Sequence, residues 1–398
     1  MSGFVGIGMG AIQAGLFLPR AQEVGLPRTV LVRRPAQAEA IAAAGAIKVN
    51  IAEADGLRRF GVTDLRAASL SDAAALPALV AADQIAVAVS SVLDYPSFAP
   101  LLAAAMRAKA SGQGPKAVIY ASENDLDAAD LLEQAILADG GDRAVFQAVD
   151  TVIGKMSRTL RDPEEIAATG LQPGAPGLPE AWLVEAYDDI FVSSLDPTRT
   201  PGGALPRLLK TDDLLPFEQA KLNGHNAAHA TLAYLGRLLG LRFISDVLAV
   251  PVARELVFDA FVHETGAALR VRYAGTADLF SEVGWTAHAD ALFARMANPW
   301  LRDDCDRVGR DTARKLGWND RLVGTIRLVE EAGLPAPRWR RALLAAIDAT
   351  GVHLDTLATT WRAGGANRGA VTAFLTSLQD DRGPYEAWRR DLRQAVPV

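Results

Sequence analysis

The first half of the chain alternates short apolar runs with alanine-rich segments of helical period. The segments at residues 11–24 and 37–44 predict helices. Strands that are apolar on both faces and separated by helices are typical of a parallel sheet covered on each side. The pattern therefore predicts an α/β, Rossmann-type doubly wound domain over residues 1–200. Its strands are expected at residues 4–7, 29–32, 84–89, 117–120 and 144–146.

The pattern changes after a segment rich in proline and glycine at residues 197–206. Helical periods dominate from there onward, with breaks expected at Gly236, at Gly240 and at residues 333–335 and 364–365. A similar stretch at residues 172–179 predicts a loop inside the first domain. We therefore expect an all-helical C-terminal domain over residues 201–398, with the boundary near Gly202 and Gly203.

Composition and charge exclude several classes of protein. The 398 residues include one cysteine, Cys305, which excludes an internal disulfide and favours a reducing, cytoplasmic location. Forty-one basic residues are interspersed with 47 acidic ones, and the net charge of −6 makes nucleic acid an unexpected partner. The uncharged run at residues 4–18 is too short to span a bilayer and holds four glycines, so we expect neither a membrane span nor a signal sequence.

A glycine-rich turn follows the first predicted strand. Gly8 can provide the tight bend of a dinucleotide-binding turn, and Gly10 can let the backbone approach a pyrophosphate at a helix N-terminus. Gln13 stands where the third glycine of that fingerprint is usual, although Gly15 can still allow close packing of the helix on a strand. The alternative is an ordinary glycine-rich turn. We expect the cofactor to contact Gly8, Gly10, Ile12 and Gln13.

Arg33 and Arg34 stand at the end of the second predicted strand, where an acid usually binds the ribose 2′-hydroxyl. A guanidinium group at that position suits a 2′-phosphate. The cofactor is therefore expected to be NAD or NADP. The alternative is that one arginine stacks on the adenine or faces solvent.

The segment 221–229 concentrates polar groups that suit proton transfer. On an α-helix Lys221, His225 and His229 share one face, and Asn226 lies beside His229. A lysine whose pKa is lowered by apolar surroundings and a positive nicotinamide can take the proton of an alcohol. Asn226 and His229 can then donate hydrogen bonds to its oxygen. Two alternatives stay open: a zinc site on the two histidines, which lacks the glutamate and cysteines such sites use, and a polar patch at a domain interface.

Basic residues recur at helical spacing near residue 310. Arg307, Arg310 and Arg314 would form one stripe on a helix, with Lys315 beside it, and such a stripe can bind a phosphate or carboxylate. The alternative is a solvated face paired with the acids at positions 303, 304, 306 and 311.

The order Lys221, Asn226, His229, followed by Ala-Tyr-Leu-Gly at 233–236, resembles the polyol-specific long-chain dehydrogenases, in particular their mannitol dehydrogenase-like and mannitol-1-phosphate 5-dehydrogenase-like members. Further similarity lies in the glycine turn, in Ser-Glu-Asn at 122–124, in Thr-Asp-Asp-Leu at 211–214 and in the stretch 298–322.

This resemblance implies metal-independent hydride transfer between a nicotinamide and a polyol or its keto partner, with the active site between a dinucleotide-binding domain and a helical domain. It implies that Lys221 is the general base, that Asn124 and Asn226 polarise the reacting oxygen and that His229 orients it. Glu123 is expected beside the cofactor. The remaining expected substrate-binding residues are Asn223, His225, Arg307, Arg310 and Lys315.

The sequence thus predicts an NAD(P)-dependent oxidoreductase that interconverts a secondary alcohol and a ketone on a polyol or sugar phosphate. Its partner would be a small polar molecule, with or without a phosphate group, and the chain would act as a monomer or a small homo-oligomer. Two alternatives remain: an epimerase or lyase that oxidises its substrate transiently, and a dinucleotide sensor without catalysis.

Overall fold

The computed structural model describes residues 2–200 and 205–395, so the predicted boundary glycines, Gly202 and Gly203, lie outside the described residues. The chain divides into two compact units, Met1–Leu214 and Leu215–Val398. The predicted division at residue 200/201 is therefore corrected to 214/215. The reason is that strand Leu208–Thr211 still pairs with strand Ile190–Ser193 of the first unit.

The described part of the first unit forms an eight-stranded sheet and a four-stranded sheet. The strands are β1 (Phe4–Ile7), β2 (Arg28–Val32), β3 (Ile47–Glu53), β4 (Gly56–Val62), β5 (Leu65–Ser69), β6 (Gln84–Val87), β7 (Ala117–Ala121), β8 (Phe146–Ile153), β9 (Ser157–Leu160), β10 (Ala181–Glu185), β11 (Ile190–Ser193) and β12 (Leu208–Thr211). The helices are α1 (Leu18–Glu23), α2 (Pro35–Ala44), α3 (Ala75–Ala81), α4 (Ala99–Ala110), α5 (Ala128–Ala138) and α6 (Pro163–Ala168).

The strand order confirms the doubly wound prediction. The large sheet runs β12-β11-β8-β7-β6-β1-β2-β5, and its strands pair in parallel except β8 with β11. The central six, β5-β2-β1-β6-β7-β8, follow the order of a dinucleotide-binding fold. In that order the connections reverse direction between β1 and β6, and ligands bind at the carboxyl ends of the strands beside this point.

Both faces of the large sheet are buried, as its apolar strands predict. Val5 and Ile7 of β1 pack with α3, α4 and α5 on one face, whereas Phe4 packs on the other with Trp182 and Val184 of β10. The second face is thus covered partly by the four-stranded sheet β4-β3-β10-β9. The sequence pattern missed this sheet because strands such as β4 leave half of their residues facing solvent.

Three predicted boundaries differ from the structure. Residues Arg143–Val145 form a 3-10 turn, which begins where the Asp142 side chain accepts a hydrogen bond from the N–H of Ala144, so that β8 starts only at Phe146. The helix predicted over 11–24 contains a π-helical segment, π1 (Gln13–Phe17), before α1. The break expected at Gly236 is absent because the helix continues to Leu239.

The second unit is helical in its described part, as predicted. Its elements are α7 (Leu215–Gln219), π2 (Ala220–Asn226), α8 (Ala227–Leu239), α9 (Ile244–Leu248), α10 (Pro251–Asp259), π3 (Ala260–Thr265), α11 (Gly266–Arg272), α12 (Glu282–Met296), α13 (Cys305–Val308), α14 (Thr312–Lys315), α15 (Val323–Glu331), α16 (Pro337–Thr350), α17 (Leu354–Ala363), α18 (Arg368–Asp380) and α19 (Arg382–Gln394). None of the described helices in either unit is long and apolar enough to cross a bilayer.

Helix α8 is the centre of the second unit and packs against α9, α10, α13 and α16. Gly236 lets α13 approach closely, because a Cβ there would lie 2.4 Å from the sulfur of Cys305. The helix ends one turn later at Gly240, which adopts a left-handed conformation with φ 67°. Gly236 therefore has a packing role where the sequence pattern predicted a break.

Two π-helical segments, π2 and π3, pack against each other in this unit. A π turn holds one residue more than an α turn, is rare, and occurs often at functional sites. The widened turn of π2 finds donors for its backbone: the hydroxyl groups of Thr265 and Thr325 each donate to the carbonyl of Asn223 at 3.3 Å. Gly224 lets π2 approach Phe261 of π3, since a Cβ there would lie 3.0 Å from that ring.

Candidate functional site

The turn after β1 has the shape of a dinucleotide cradle. Gly8 has φ 88°, and a Cβ on it would lie 2.5 Å from the carbonyl oxygen of Ala88, so the tight bend requires glycine. Gly10 has no atom within 4 Å of where its Cβ would lie. The backbone there is open on the side that a pyrophosphate would approach, at the start of a helical run that begins at Ala11. These residues fit a dinucleotide.

Gln13 takes the place of the third glycine by burying its side chain. It is fully buried, and its amide lies against Gly6, where a Cβ would come within 2.2 Å of Nε2. Neither amide atom has a hydrogen-bond partner in the described structure. Gly15 supplies the close packing instead, since a Cβ there would lie 2.5 Å from Val184 of β10. Ile12 is partly buried at the same turn.

Both arginines after β2 have carboxylate partners. Arg33 Nη1 donates to Asp94 Oδ1 at 2.7 Å. Arg34 bonds to Glu180, a carboxylate whose side chain is 1% exposed. The sequence predicted that these guanidinium groups are available to bind a 2′-phosphate. In the structure each of them instead forms an ion pair with a carboxylate.

Glu123 joins the carboxyl ends of two central strands. Its buried carboxylate accepts hydrogen bonds from the N–H groups of Val89, after β6, and of Ser122, after β7, at 2.9 and 3.1 Å. The hydroxyl of Tyr95 donates to the same group. Burial raises the pKa of Glu123, against these hydrogen bonds. The side chain thus fixes this edge of the sheet, and it places Asn124, which is exposed, at the next position.

Lys221 is the residue of the second unit best suited to proton transfer. It lies partly buried in π2. Burial and the nearby guanidinium of Arg321 lower the pKa of its ammonium to about 8, against the opposing charge of Glu218. A substantial fraction of neutral amine near neutral pH is what a general base requires.

Three histidines lie near this lysine. His225 is buried, and burial together with Arg295 holds its pKa well below the usual range. The rings of His225 and His229 are 6.0 Å apart between centroids. Burial also lowers the pKa of His288 to about 4, again with Arg295 contributing. His225 and His288 are therefore neutral near pH 7 and can act as hydrogen-bonding groups.

His229 is held by a buried carboxylate. Its Nε2 lies 2.5 Å from Oδ2 of Asp303, whose side chain is 7% exposed. Arg307 bonds to the other carboxylate oxygen. Burial opposes ionisation of Asp303, but His229 and Arg307 together lower its pKa to about 2, so the carboxylate is charged at every working pH. With Nε2 engaged, Nδ1 is the ring atom of His229 left to face a ligand.

Asn223 does not line a pocket as predicted. Its amide Nδ2 donates to Thr325 Oγ1 at 3.2 Å, and the residue is buried. The prediction rested on its position between the lysine and the asparagine of the resembled family, whereas the fold directs this side chain into the packing between helices. Asn226, by contrast, remains partly exposed one wide turn after Lys221.

The predicted basic stripe is wrong. Arg307 and Arg314 lie on two short helices, α13 and α14, because Asp311 between them adopts a left-handed conformation with φ 61°. Each is paired with an acid, Arg307 with Asp303 and Arg314 with Asp311. The solvated-face alternative is right for Arg314, which is exposed, whereas Asp303 is buried.

Arg310 and Lys315 remain close together. Arg310 is exposed, and the buried ammonium of Lys315 donates to its carbonyl. Burial and the nearby guanidinium groups of Arg321 and Arg314 lower the pKa of Lys315 to about 8. Arg321, which acts on both Lys221 and Lys315, thus links the two lysines into one basic region.

Sequence reasoning missed several of these groups. The sequence indicates Asp303 as an ion-pair partner of arginines and assigns no role to Asp94, Tyr95, His288 or Arg321. Asp303 and Arg321 both lie in the stretch 298–322 that resembles the polyol dehydrogenases, and this resemblance is the signal that could have pointed to them. In the described residues, no group of three or more His, Cys, Asp or Glu side chains is arranged to hold a metal ion.

The helical unit matches a known family. Residues 213–347 match the model of the mannitol dehydrogenase C-terminal domain, a range that includes Lys221, His229 and Asp303. Over this range, about a third of the chain, the helical unit is similar to the mannitol dehydrogenase-like family. The family resemblance stated from the sequence is thereby confirmed.

Two solved structures share the fold of this mannitol dehydrogenase-like chain. A Pseudomonas fluorescens mannitol 2-dehydrogenase, in a ternary complex with NAD and D-mannitol, is 12% identical over 87% of this chain and 79% of its own, with a TM-score of 0.64. A D-sorbitol dehydrogenase in substrate-free form is 14% identical over 87% of this chain and 80% of its own, with a TM-score of 0.70. At these identities the similarity establishes the architecture: a Rossmann-type unit followed by a helical unit.

Proposed function

We propose that the chain is an NAD(P)-dependent oxidoreductase that interconverts a secondary alcohol and a ketone on a polyol or a sugar phosphate. The glycine turn beside β1 would hold the dinucleotide, whose nicotinamide would exchange the hydride with the substrate carbon. The match of residues 213–347 to the mannitol dehydrogenase C-terminal domain and the fold shared with two polyol dehydrogenases support this assignment.

The observation that carries the proposal is the placement of a partly buried Lys221 on the widened turn π2 together with Asn226, where burial and the nearby Arg321 also lower the pKa of the lysine. In the direction of oxidation, the neutral amine of Lys221 would accept the hydroxyl proton while the C–H bond of the carbinol gives up its hydride. In the reverse direction the ammonium would return that proton to the ketone oxygen. The reaction balances without a metal ion, because the proton goes to the lysine and the two electrons leave with the hydride.

Asn226 would stabilise the oxygen during this transfer, and His229 would orient the substrate. Asn226 lies on the same wide turn as Lys221, and its amide can donate to an oxygen that gains negative charge. His229 would accept a hydrogen bond from a substrate hydroxyl at Nδ1, because its Nε2–H donates to the carboxylate of Asp303. Asn124, from the first unit, is proposed as the second amide donor, and His225 as a neutral group lining the substrate pocket.

The basic region that Arg321 forms with Lys221 and Lys315, with the exposed Arg310 next to Lys315, supports a polar substrate that carries an anionic group. A phosphate on the substrate is the finer part of this proposal. A cytoplasmic location and a monomeric or small oligomeric state remain predictions from the sequence.

Replacement of the lysine tests the proposed function. We expect Lys221→Ala to reduce kcat by about a thousandfold or more, because the general base is lost, and to leave the dissociation constant of NADH unchanged. Steady-state kinetics on a panel of polyols and their phosphates, with NADH fluorescence titration, would measure both.

Lys109→Ala provides a matched control. Lys109 is another buried lysine, but it lies in the first unit and donates to the carbonyls of Val80, Ala82 and Pro115 at 2.9, 2.5 and 2.8 Å. Its loss should lower stability, whereas kcat of the folded fraction should persist. Hydride transfer at the wild-type rate in Lys221→Ala would remove the proposed mechanism.

A further inference from the structure

The end of β2 lacks the acid that usually binds the ribose of NAD, but the fold brings a carboxylate to this place from a distant part of the chain. Asp94 lies in a 3-10 turn, Val92–Ser97, that follows β6. It meets the Arg33 guanidinium, which follows β2, at 2.7 Å. Since β1 lies between β2 and β6, this ion pair spans the carboxyl end of β1, beside the turn that holds Gly8 and Gly10.

The turn fixes the backbone of Asp94, and the arginine holds its carboxylate. The Ser91 hydroxyl accepts from the N–H of Leu93 at 3.2 Å, the N–H of Asp94 donates to the carbonyl of Ser91 at 3.0 Å, and the Ser97 hydroxyl donates to the carbonyl of Asp94 at 2.6 Å. The Arg33 and Asp94 side chains are 56% and 22% exposed, so a ligand can reach both.

Arg34 and Asp72, the other charged groups considered near this edge, bind other partners. Arg34 is held by the buried carboxylate of Glu180, which Arg161 also approaches at 3.7 Å. The carboxylate of Asp72, after β5, accepts from the N–H of Ser69 at 2.6 Å and so closes its own turn. Asp94 is therefore the accessible acid that faces the ribose position, and Arg33 is the guanidinium that it neutralises.

We propose that Asp94 determines the cofactor specificity of this chain and selects NAD over NADP. This inference rests on the proposed function. A carboxylate beside the ribose accepts a hydrogen bond from a 2′-hydroxyl and repels a 2′-phosphate. The pairing with Asp94 also removes Arg33 from the role of phosphate receptor that its position in the sequence predicted.

Binding titrations with NADH and NADPH test the inference on the full chain, without reference to turnover. The wild type should bind NADH more tightly. Asp94→Asn should tighten NADPH binding by about tenfold or more, because it removes a repulsion and releases the Arg33 guanidinium for a charge-assisted contact. The same change should weaken NADH binding about two- to fivefold, since an amide replaces the charged acceptor.

The double variant Asp94→Asn/Arg33→Ala separates the two causes. This double variant should lose most of the increase in NADPH affinity that Asp94→Asn alone produces. The matched control, Asp94→Asn combined with Arg34→Ala, should keep that increase. Wild-type preference for NADPH, or an affinity ratio that Asp94→Asn leaves unchanged, would overturn the inference while the proposed function stands. If the wild type binds neither dinucleotide, the proposed function is wrong and the inference falls with it.

Discussion

At the scale of single residues, the proposed chemistry of the second unit depends on pairs of side chains in which one group changes the pKa or fixes the orientation of the other. Burial and the nearby Arg321 lower the pKa of Lys221, and the carboxylate of Asp303 holds Nε2 of His229. The sequence indicated Lys221, Asn226 and His229, because their spacing resembles a known family. It could not indicate Asp303 as a partner of His229, since the two residues are 74 positions apart and meet only through packing of the chain.

Asp303→Asn tests the role of this partner. The variant keeps an oxygen but loses the charge that fixes the tautomer of His229, so kcat should fall about tenfold or more while NADH binding is unchanged. Nitrogen NMR of the imidazole should show Nε2 protonated in the wild type and a mixture of tautomers in the variant. Arg307→Lys keeps a cation on Asp303 and should retain most of the activity. A single tautomer in Asp303→Asn, with full kcat, would contradict this role.

At the scale of elements, the sequence predicted the central strands well but not the shape of the turns. Strands such as β1, β6 and β7 are apolar on both faces, and that pattern is visible in a single sequence. The π segments have no comparable pattern, because nothing in the spacing of apolar residues distinguishes a π turn from an α turn over seven residues.

The two glycines of the first turn should respond differently to alanine. Gly10→Ala adds a methyl group into open space, so stability should not change, but the group would obstruct the pyrophosphate and weaken NADH binding about tenfold or more. Gly15→Ala places a methyl group 2.5 Å from a Val184 methyl, which should lower the unfolding free energy by about 1–3 kcal/mol.

Val184→Ala should rescue the stability of Gly15→Ala and have no such effect on Gly10→Ala. Urea unfolding and NADH titration would measure the two responses. If Gly10→Ala binds NADH as tightly as the wild type, Gly10 does not face the cofactor.

At the scale of the whole molecule, the spacing of apolar residues changes along the chain, and this change predicted the division into an α/β unit and a helical unit. It did not predict that a second sheet covers one face of the large sheet. Alternation is weak in β4 and β9, and the sheet is completed by the parallel pairing of β3 with β10, which joins segments far apart in the chain. Contacts of that kind are set by the packing of the complete fold.

The pH dependence of stability is also a property of the whole molecule. Burial lowers the pKa values of Lys109, Lys221 and Lys315 to about 8. Between pH 7 and 9 the unfolded lysines keep protons that the folded ones lose, so the unfolding free energy should rise with pH, by about 1 kcal/mol for each lysine. Above pH 9 the Cys305 thiol, whose pKa burial raises to about 12, opposes this trend.

Urea unfolding at pH 7, 8 and 9 would measure the rise. Lys221→Met should raise the unfolding free energy at pH 7 and reduce its increase between pH 7 and 9. Lys48→Met, at an exposed position, should leave the dependence of the unfolding free energy on pH as it is in the wild type. A profile that is flat in the wild type, or that falls toward pH 9, would contradict the assignment of neutral lysines to the folded state.

The wide turn of π2 also constrains how this helix can change during evolution. Loss of one residue from Ala220–Asn226 could be absorbed by closing the segment into an ordinary α-helix without breaking it. The rotation of Lys221 relative to His229 would nevertheless change by about 100°, the angle of one helical residue. A deletion there could thus spare folding and abolish turnover, so relatives with a shorter segment are natural candidates for members of this family that have lost catalysis.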